Sequence, residues 1–411
     1  MKALADLDPF DPDVVQEPHE FFAALRREAP LYRLPNGAYS LISRYRDVRD
    51  AALNPEVFSS NLVAVMMQGV EQPELLTFEG ASAARVDVLA TADPPVHARQ
   101  RKLSNRAFSM RRVAALEPAI RALAESLVGA ILPHGGARSG AADWVREVAV
   151  PLPMTVIAGL IGLPGEDIPQ LKRWSDHAIA ILSGTNTPAQ LAEHTAQVGQ
   201  LAAYFGERVA DAARAPKDDV LGDLVRDTDG SEALTREEIV AILLQLLTAG
   251  NETTTSLIGS ALRLLLQNPE VEARIRTDSA LLEPFLEEVL RLESPLHGHF
   301  RLVRRDTEVA GVPLPQGGRV MLLWGAANRD GDEFPNPDAI DLARPNARAH
   351  LGFGLGLHHC IGAALARLEA RVVFETLLAR TRALRLADGK LVHVPSLLVR
   401  SLVSLPVELA T

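Results

Sequence analysis

Phe353-Gly354-Leu355-Gly356-Leu357-His358-His359-Cys360-Ile361-Gly362 is the stretch from which the rest of the chain is read. It carries the only cysteine of the 411 residues, behind the alternating glycines Gly352, Gly354 and Gly356. Glycines at this density let a backbone turn tightly and approach a flat ligand closely, because no Cβ intervenes. From Ile361 onward, Ile361, Ala364, Leu365, Leu368, Val372 and Phe374 predict a helix with one buried face. Cys360 therefore falls at or just before a helix N-terminus, where unpaired N–H groups and the helix dipole favour a thiolate. A thiolate beside glycines that admit a macrocycle points to an axial ligand of haem iron. The plain alternative for a lone cysteine is a small buried hydrophobe. A dinucleotide loop is excluded, since the glycines do not continue as GxGxxG and no Val/Ile strand precedes them.

Composition narrows the class. An allotment of roughly 150 residues per domain suggests two or three domains. No Pro/Gly/Ser linker or step in composition divides the chain, however, so one large, mainly helical domain over residues 1–411 is expected. A hydrophobic content of 47% is ample for a core. A single cysteine forms no internal disulfide, which suits a reducing cytoplasm. The segment Met1 to Pro9 lacks the apolar centre of a signal peptide. The best apolar run, Val148 to Leu163, is broken by Pro151 and Pro153, so no membrane span is expected. A net charge of −10 argues against a nucleic-acid partner.

Pro18 to Ala29 reads as a helix and Ala38 to Ile42 as a strand. Residues 61–92 carry little pattern, and so long a loop in a compact domain is disordered or functional. Asp93-Pro94-Pro95 then suits a helix start and sets His97 and Arg101 four apart on one face. That pair is a site for a carboxylate or a solvated basic face. Arg99, Arg101, Lys102, Arg106, Arg111 and Arg112 follow, with no acidic residue from Pro94 through Leu116. Either a solvated face or a docking site for an acidic partner would explain such a patch. Leu116 to Gly206 is helical in period, broken at His134-Gly135-Gly136, Pro164-Gly165 and Gly184-Thr185-Asn186. Residues 178–200 read as a lid-like helical pair hinged at those breaks.

Thr235-x-x-Glu238 is a capping box, and Asn268-Pro269 marks the end of the long helix it opens. Near its middle stands Ala249-Gly250-Asn251-Glu252-Thr253-Thr254-Thr255, poor in helix propensity. Threonine hydroxyls bonding back one turn, with a π-type bulge, would open the helix there; a mild kink is the simpler reading. Farther on, Glu288 and Arg291 stand at i, i+3 as a local ion pair.

Phe353-Gly354-x-Gly356-x-His358-x-Cys360-x-Gly362 resembles the haem-binding loop of the cytochrome P-450 superfamily of haem-thiolate monooxygenases. Asp93 to Arg101, Ala249 to Thr255, Glu288-x-x-Arg291, Arg301, Asn328-Arg329-Asp330 and Phe334-Pro335-Asn336-Pro337 resemble the same family in the same order. The resemblance implies a mainly α fold with small β-sheets and a long central helix over a buried haem b. Cys360 would be the axial thiolate, with Ala249, Phe353, Gly354, His358 and Gly362 around the cofactor. His97, Arg101 and Arg301 would hold propionates, and Glu252 and Thr253 would relay protons during oxygen activation. Glu288, Arg291 and Arg344 would support the fold.

By family position, Leu296, His297 and Gly298, with residues 61–92 and 178–186, would line a pocket for an apolar small molecule oxidised with dioxygen. Electrons would come from NAD(P)H through a separate acidic ferredoxin or flavodoxin docking near Arg99, Lys102, Arg106, Arg111 and Arg112. The implied protein is a soluble, bacterial-type, cytoplasmic monomer. A peroxide-using haem-thiolate enzyme or a haem sensor would have less use for the acid–alcohol pair. The acid is Glu252 where many relatives carry Asp, and His359 is not a family signature.

Overall fold

Thr235 opens the element on which the fold is built. Its hydroxyl accepts the Glu238 N–H at 3.1 Å, and the Glu238 carboxylate accepts the Thr235 N–H at 2.9 Å. The helix Arg236–Gln267 runs 32 residues, about 48 Å at ~1.5 Å per residue, before Asn268 caps it and Pro269 opens the next helix. Ile242, Leu247, Ile258, Leu262 and Leu265 are buried on different sides of it, as expected for a helix wrapped by others. Around it pack Pro151–Ile161, Ile168–Ile181, Pro188–Arg214, Leu282–Glu293 and Ala363–Arg380. The computed structural model describes residues 2–35, 37, 39–61, 87–133, 139–226 and 233–411. Over these it is mainly helical with small sheets.

The expected π-type opening at Ala249–Thr255 is corrected by the structure: the central helix is α throughout. The π turn lies beside it at Val145–Ala149, where the Val150 N–H reaches Val145 O at 2.9 Å. Pro151 and Pro153 give a reason, since each ring crowds the carbonyl one turn earlier and neither has an N–H to donate. The central helix braces this wide turn. Thr255 Oγ1 donates to Ala149 O at 3.0 Å, and Trp144 Nε1 to Ile258 O at 3.2 Å.

The helical period from Leu116 to Gly206 also conceals a strand, Ser139–Asp143. Five small residues are too few to show a period, and the partner that fixes them as a strand is Pro406–Ala410 at the far end of the chain. That C-terminal strand is central in a three-stranded antiparallel sheet, with Ala383–Leu386 on its other side. The break at residues 134–136 lies outside the described residues, as does most of the 61–92 stretch.

A five-stranded sheet takes the order Leu31–Arg33, Ser40–Ile42, Arg319–Leu322, His299–Val303, Phe58–Ser59. Only the pairing of Ser40–Ile42 with Arg319–Leu322 is parallel. His299–Val303 lies antiparallel to Arg319–Leu322, with Arg301 opposite Val320. Among the described residues no helix is long and apolar enough to cross a membrane.

Candidate functional site

The cysteine loop, the central helix and the chain around His299–Val303 meet at one cavity of about 1300 Å³, part of it open to solvent. Phe353, Gly354, His358, Cys360 and Gly362 reach it from the loop, and Ala249, Gly250, Thr253 and Thr254 from the central helix. Arg101, Leu296 and His299 complete the part of the lining relevant here.

The loop is shaped by its glycines. Gly354 and Gly356 hold φ of 66° and 70°, where a side chain would be strained, and a Cβ on Gly352 would stand 2.9 Å from Leu290 O. The Cys360 N–H donates to Phe353 O at 2.8 Å, and Gly362 caps the helix Ala363–Arg380. Burial pushes the Cys360 thiol up, against the opposing pull of the Gly362 N–H, Arg101 and Arg367. The helix end alone therefore does not make the expected thiolate. A coordinated metal ion would, since a ligating thiol is deprotonated outright.

Whether the residues fit haem is tested by their unpartnered atoms. His97 and His358 meet with ring centroids 4.3 Å apart and planes tilted by 48°, and the Nε2 of each is buried with no hydrogen-bond partner among the described residues. His358 Nδ1–H donates to Leu89 O at 3.0 Å, which fixes the ring and turns Nε2 away from that bond. Burial, Arg301 and His97 together push His358 down to about 3. Arg301 is 3% exposed, donates to Phe300 O at 2.7 Å, and is brought to about 10 by burial. Of these three only His358 lines the cavity with Cys360; His97 lies against His358 and Arg301 is buried beside it, and two idle imidazole nitrogens and a desolvated guanidinium would suit the carboxylates of an anionic ligand. Haem b, with two propionates and an iron that Cys360 would ligate, would fit these residues. Arg101, one turn after His97, donates from Nε to Asn105 Oδ1 at 3.0 Å.

Thr253 lines the cavity and donates back to Ala249 O at 2.7 Å. Glu252 does not reach that lining. Its carboxylate lies 3.3 Å from Lys172 Nζ, and Lys172 also pairs with Asp176, both on the helix Ile168–Ile181. One residue along an α-helix is a turn of about 100°, which separates the two side chains.

Glu288, Arg291 and Arg344 meet in the interior, with Arg291 Nε 2.7 Å and Arg344 Nε 2.9 Å from Glu288 Oε1. Leu296 lines the cavity, but His297 does not. His297 turns into a separate apolar pocket and meets the Phe22 ring edge-on at 5.2 Å, because successive residues of an extended chain point to opposite sides. Gly298 is a packing glycine, since a Cβ there would lie 2.4 Å from Leu322 O. The basic patch also needs correction. Arg99 pairs with Glu238, and Arg112 with Asp223 and, at 3.6 Å, Asp218. A stretch without acids in sequence is supplied with them in space by other elements.

Two residues at the site escaped sequence reasoning. His299 lines the cavity and is pushed down to about 4 by burial and then by Arg301. Its signal was the two-residue spacing to Arg301, which puts both on one face of a strand. Lys172 had no sequence signal, as its contact with Glu252 arises from helix packing alone.

Comparison with known proteins assigns the family. The family described as Cytochrome P450 matches residues 54–390. The chain is 37% identical over 396 residues to Cytochrome P450 144 of Mycobacterium tuberculosis, covering 95% of this chain and 88% of that protein. It is 36% identical over 410 residues to the Vitamin D(3) 25-hydroxylase of Pseudonocardia autotrophica, covering 98% and 96%. The structure of cytochrome P450 CYP109Q5 from Chondromyces apiculatus superposes with a TM-score of 0.83 at 36% identity, over 98% of both chains.

Proposed function

The chain belongs to the cytochrome P450 family and is accordingly a monooxygenase, and we propose that it inserts one atom of dioxygen into a C–H bond of a small to medium apolar molecule. We assign its electrons to NAD(P)H, delivered through a separate reductase and an acidic ferredoxin or flavodoxin in the cytoplasm. The observation that carries the reading is the shared cavity: Cys360 and Thr253 line the same space, flanked by the idle Nε2 atoms of His97 and His358. Haem b, held by Cys360 and by His97, Arg101, Arg301 and His358, would supply the redox chemistry that activates dioxygen.

The chain's own residues supply the rest. Thr253 Oγ1 gives its proton to Ala249 O, so its lone pairs are open to accept from a water in the cavity and hold that water in place. Glu252, tied to Lys172, which also pairs with Asp176, would exchange protons with solvent on the far side of the central helix and pass them inward through ordered water. Leu246, Leu257, Leu290 and Leu296 give the cavity an apolar wall suited to a hydrocarbon skeleton. The likeness to a hydroxylase of vitamin D3 supports a bulky alicyclic substrate.

The test is reconstitution with haem, NADPH, a ferredoxin and its reductase, scored by dioxygen-dependent NADPH consumption and oxidised product. Turnover with hydrogen peroxide alone, and none with the electron-transfer proteins, would overturn the reading. The reduced carbon-monoxide complex should show the red-shifted Soret band of a thiolate ligand, and Cys360→His should lose it.

A further inference from the structure

Behind the cysteine loop lies a charge that the reading above leaves without a role. Arg367, in the helix that follows Cys360, turns back so that its guanidinium carbon sits 4.5 Å from the centre of the Phe353 ring. Its Nε and Nη2 donate to the two oxygens of Glu287 at 2.6 and 2.9 Å. His350 Nε2 lies 3.1 Å from Glu287 Oε2, and the Gly352 N–H donates to His350 Nδ1 at 3.1 Å. Because Nδ1 accepts, the ring proton is on Nε2 and is directed at Glu287. Burial pushes Glu287 up, but the bonds from Arg367 and His350 bring it down to about 2, so it is a fixed anion at neutral pH. The connections form a closed circuit, from Gly352 through His350, Glu287 and Arg367 back to Phe353. Phe353 is the residue whose carbonyl takes the Cys360 N–H and which lines the cavity.

An ion pair between the two helices would need only Arg367 and Glu287. The observed geometry does more, since the guanidinium both forks onto a carboxylate and sits over an aromatic face. It fixes a positive charge against a ring that shields it from water on that side, with the Glu287 anion offsetting part of its field. We propose that Arg367 is a positioning residue for the haem that Cys360 would hold: fixed over Phe353 by Glu287 and His350, it favours the reduced iron and raises its reduction potential. Reduction adds one negative charge to the site, and a nearby fixed cation stabilises the state that carries it. The proposal rests on the haem-thiolate reading.

The experiment is a spectroelectrochemical titration of the holoenzyme, with the carbon-monoxide spectrum of the parent recorded first. A parent without a thiolate-type Soret band would sink the haem-thiolate reading itself; a parent with it moves the test to the variants. Arg367→Gln should disfavour reduction about tenfold, a shift of about 59 mV to more negative potential for a one-electron couple. Arg367→Lys keeps the charge without the fork and should shift by less. Glu287→Gln removes the opposing anion and should move the potential the other way. Simple loosening of the loop would move both glutamine variants in one direction, and that result would overturn the proposal, as would an unshifted Arg367→Gln. Should Glu287→Gln fail to retain haem, the two Arg367 variants decide, because equal shifts for glutamine and lysine would show that charge is not the cause.

Discussion

Replacing Arg291 and Arg344 separately by alanine asks how the interior trio divides its work. Arg291 is fully buried and donates to both oxygens of Glu288, at 2.7 and 2.9 Å. It also donates to Asn328 O at 3.0 Å and Ala339 O at 2.9 Å, and its guanidinium lies 5.3 Å from the Phe334 ring centre. Arg344 gives Glu288 one bond, from Nε at 2.9 Å, and another to Pro335 O at 2.8 Å. Burial raises Glu288, but Arg291, the Asp341 N–H and Arg344 outweigh it, so the carboxylate stays ionised and depends on them. Removing one partner of a buried pair costs about 3–5 kcal/mol. Arg291→Ala should reach the top of that range, because it strands an anion and several carbonyls and leaves a cavity. Arg344→Ala leaves the forked Arg291–Glu288 contact in place and should cost about 3 kcal/mol, the lower end of that range. Against a total stability of about 5–15 kcal/mol, the first loss takes a third or more. The assay is urea unfolding followed in parallel by far-ultraviolet circular dichroism and the Soret band, since a cofactor protein need not unfold in two states. If Arg291→Ala lost no more than ~1 kcal/mol, as an exposed pair does, or less than Arg344→Ala, the reasoning would be wrong.

Thr253→Ala should keep haem and NADPH oxidation but divert much of the reducing power to hydrogen peroxide; unchanged product per NADPH would reduce Thr253 to a local helix feature. Arg111 is exposed, whereas Arg112 is tied to Asp223, so Arg111→Glu alone should slow haem reduction by a ferredoxin, most at low salt. Stopped-flow rates equal to the parent at ~0.01 M salt would remove this face as the docking site. His297 and His393 are each pushed down to about 3, burial being the main cause, so the unfolded chain takes up their protons first. Their stabilising contribution is complete above ~pH 6.5 and is lost as pH falls from there towards 3, about 1.4 kcal/mol apiece by pH ~5.5. His297→Phe should flatten the pH dependence of the unfolding midpoint in that window, and an unchanged slope would contradict the burial argument.

The parts of this molecule legible in the sequence are those written over a few adjacent residues. The capping box at Thr235 and Glu238 and the stop at Asn268-Pro269 bound the central helix because caps are local hydrogen bonds. The glycines before Cys360 announced a backbone that only glycine adopts readily, and Gly354 and Gly356 adopt it. What stayed hidden was set by distant partners. Ser139–Asp143 is a strand because Pro406–Ala410 lies beside it, and Lys172 reaches Glu252 because two helices pack. The pairing of Arg99 and Arg112 was hidden for the same reason, since Glu238, Asp218 and Asp223 approach from more than a hundred residues away. His297 misled differently: neighbours in an extended chain share a position in sequence but not a side of the backbone.

The parallel pairing of Ser40–Ile42 with Arg319–Leu322 bears on how the chain is born. Ser40 leaves the ribosome about 280 residues before its partner Val320, which at ~5–20 residues per second is a wait of roughly a quarter of a minute to a minute. Through that interval Leu41 and Ile42, buried in the finished sheet, have no neighbour on the Arg319–Leu322 side. Cys360 emerges about 40 residues later still, so a haem arriving early would meet no complete site. Synthesis thus runs from the outer strands to the cofactor, and the first segment made is among the last to be finished. Slowing translation ahead of residue 319 should lower the yield of folded protein without changing its final stability, because only the unpaired interval lengthens.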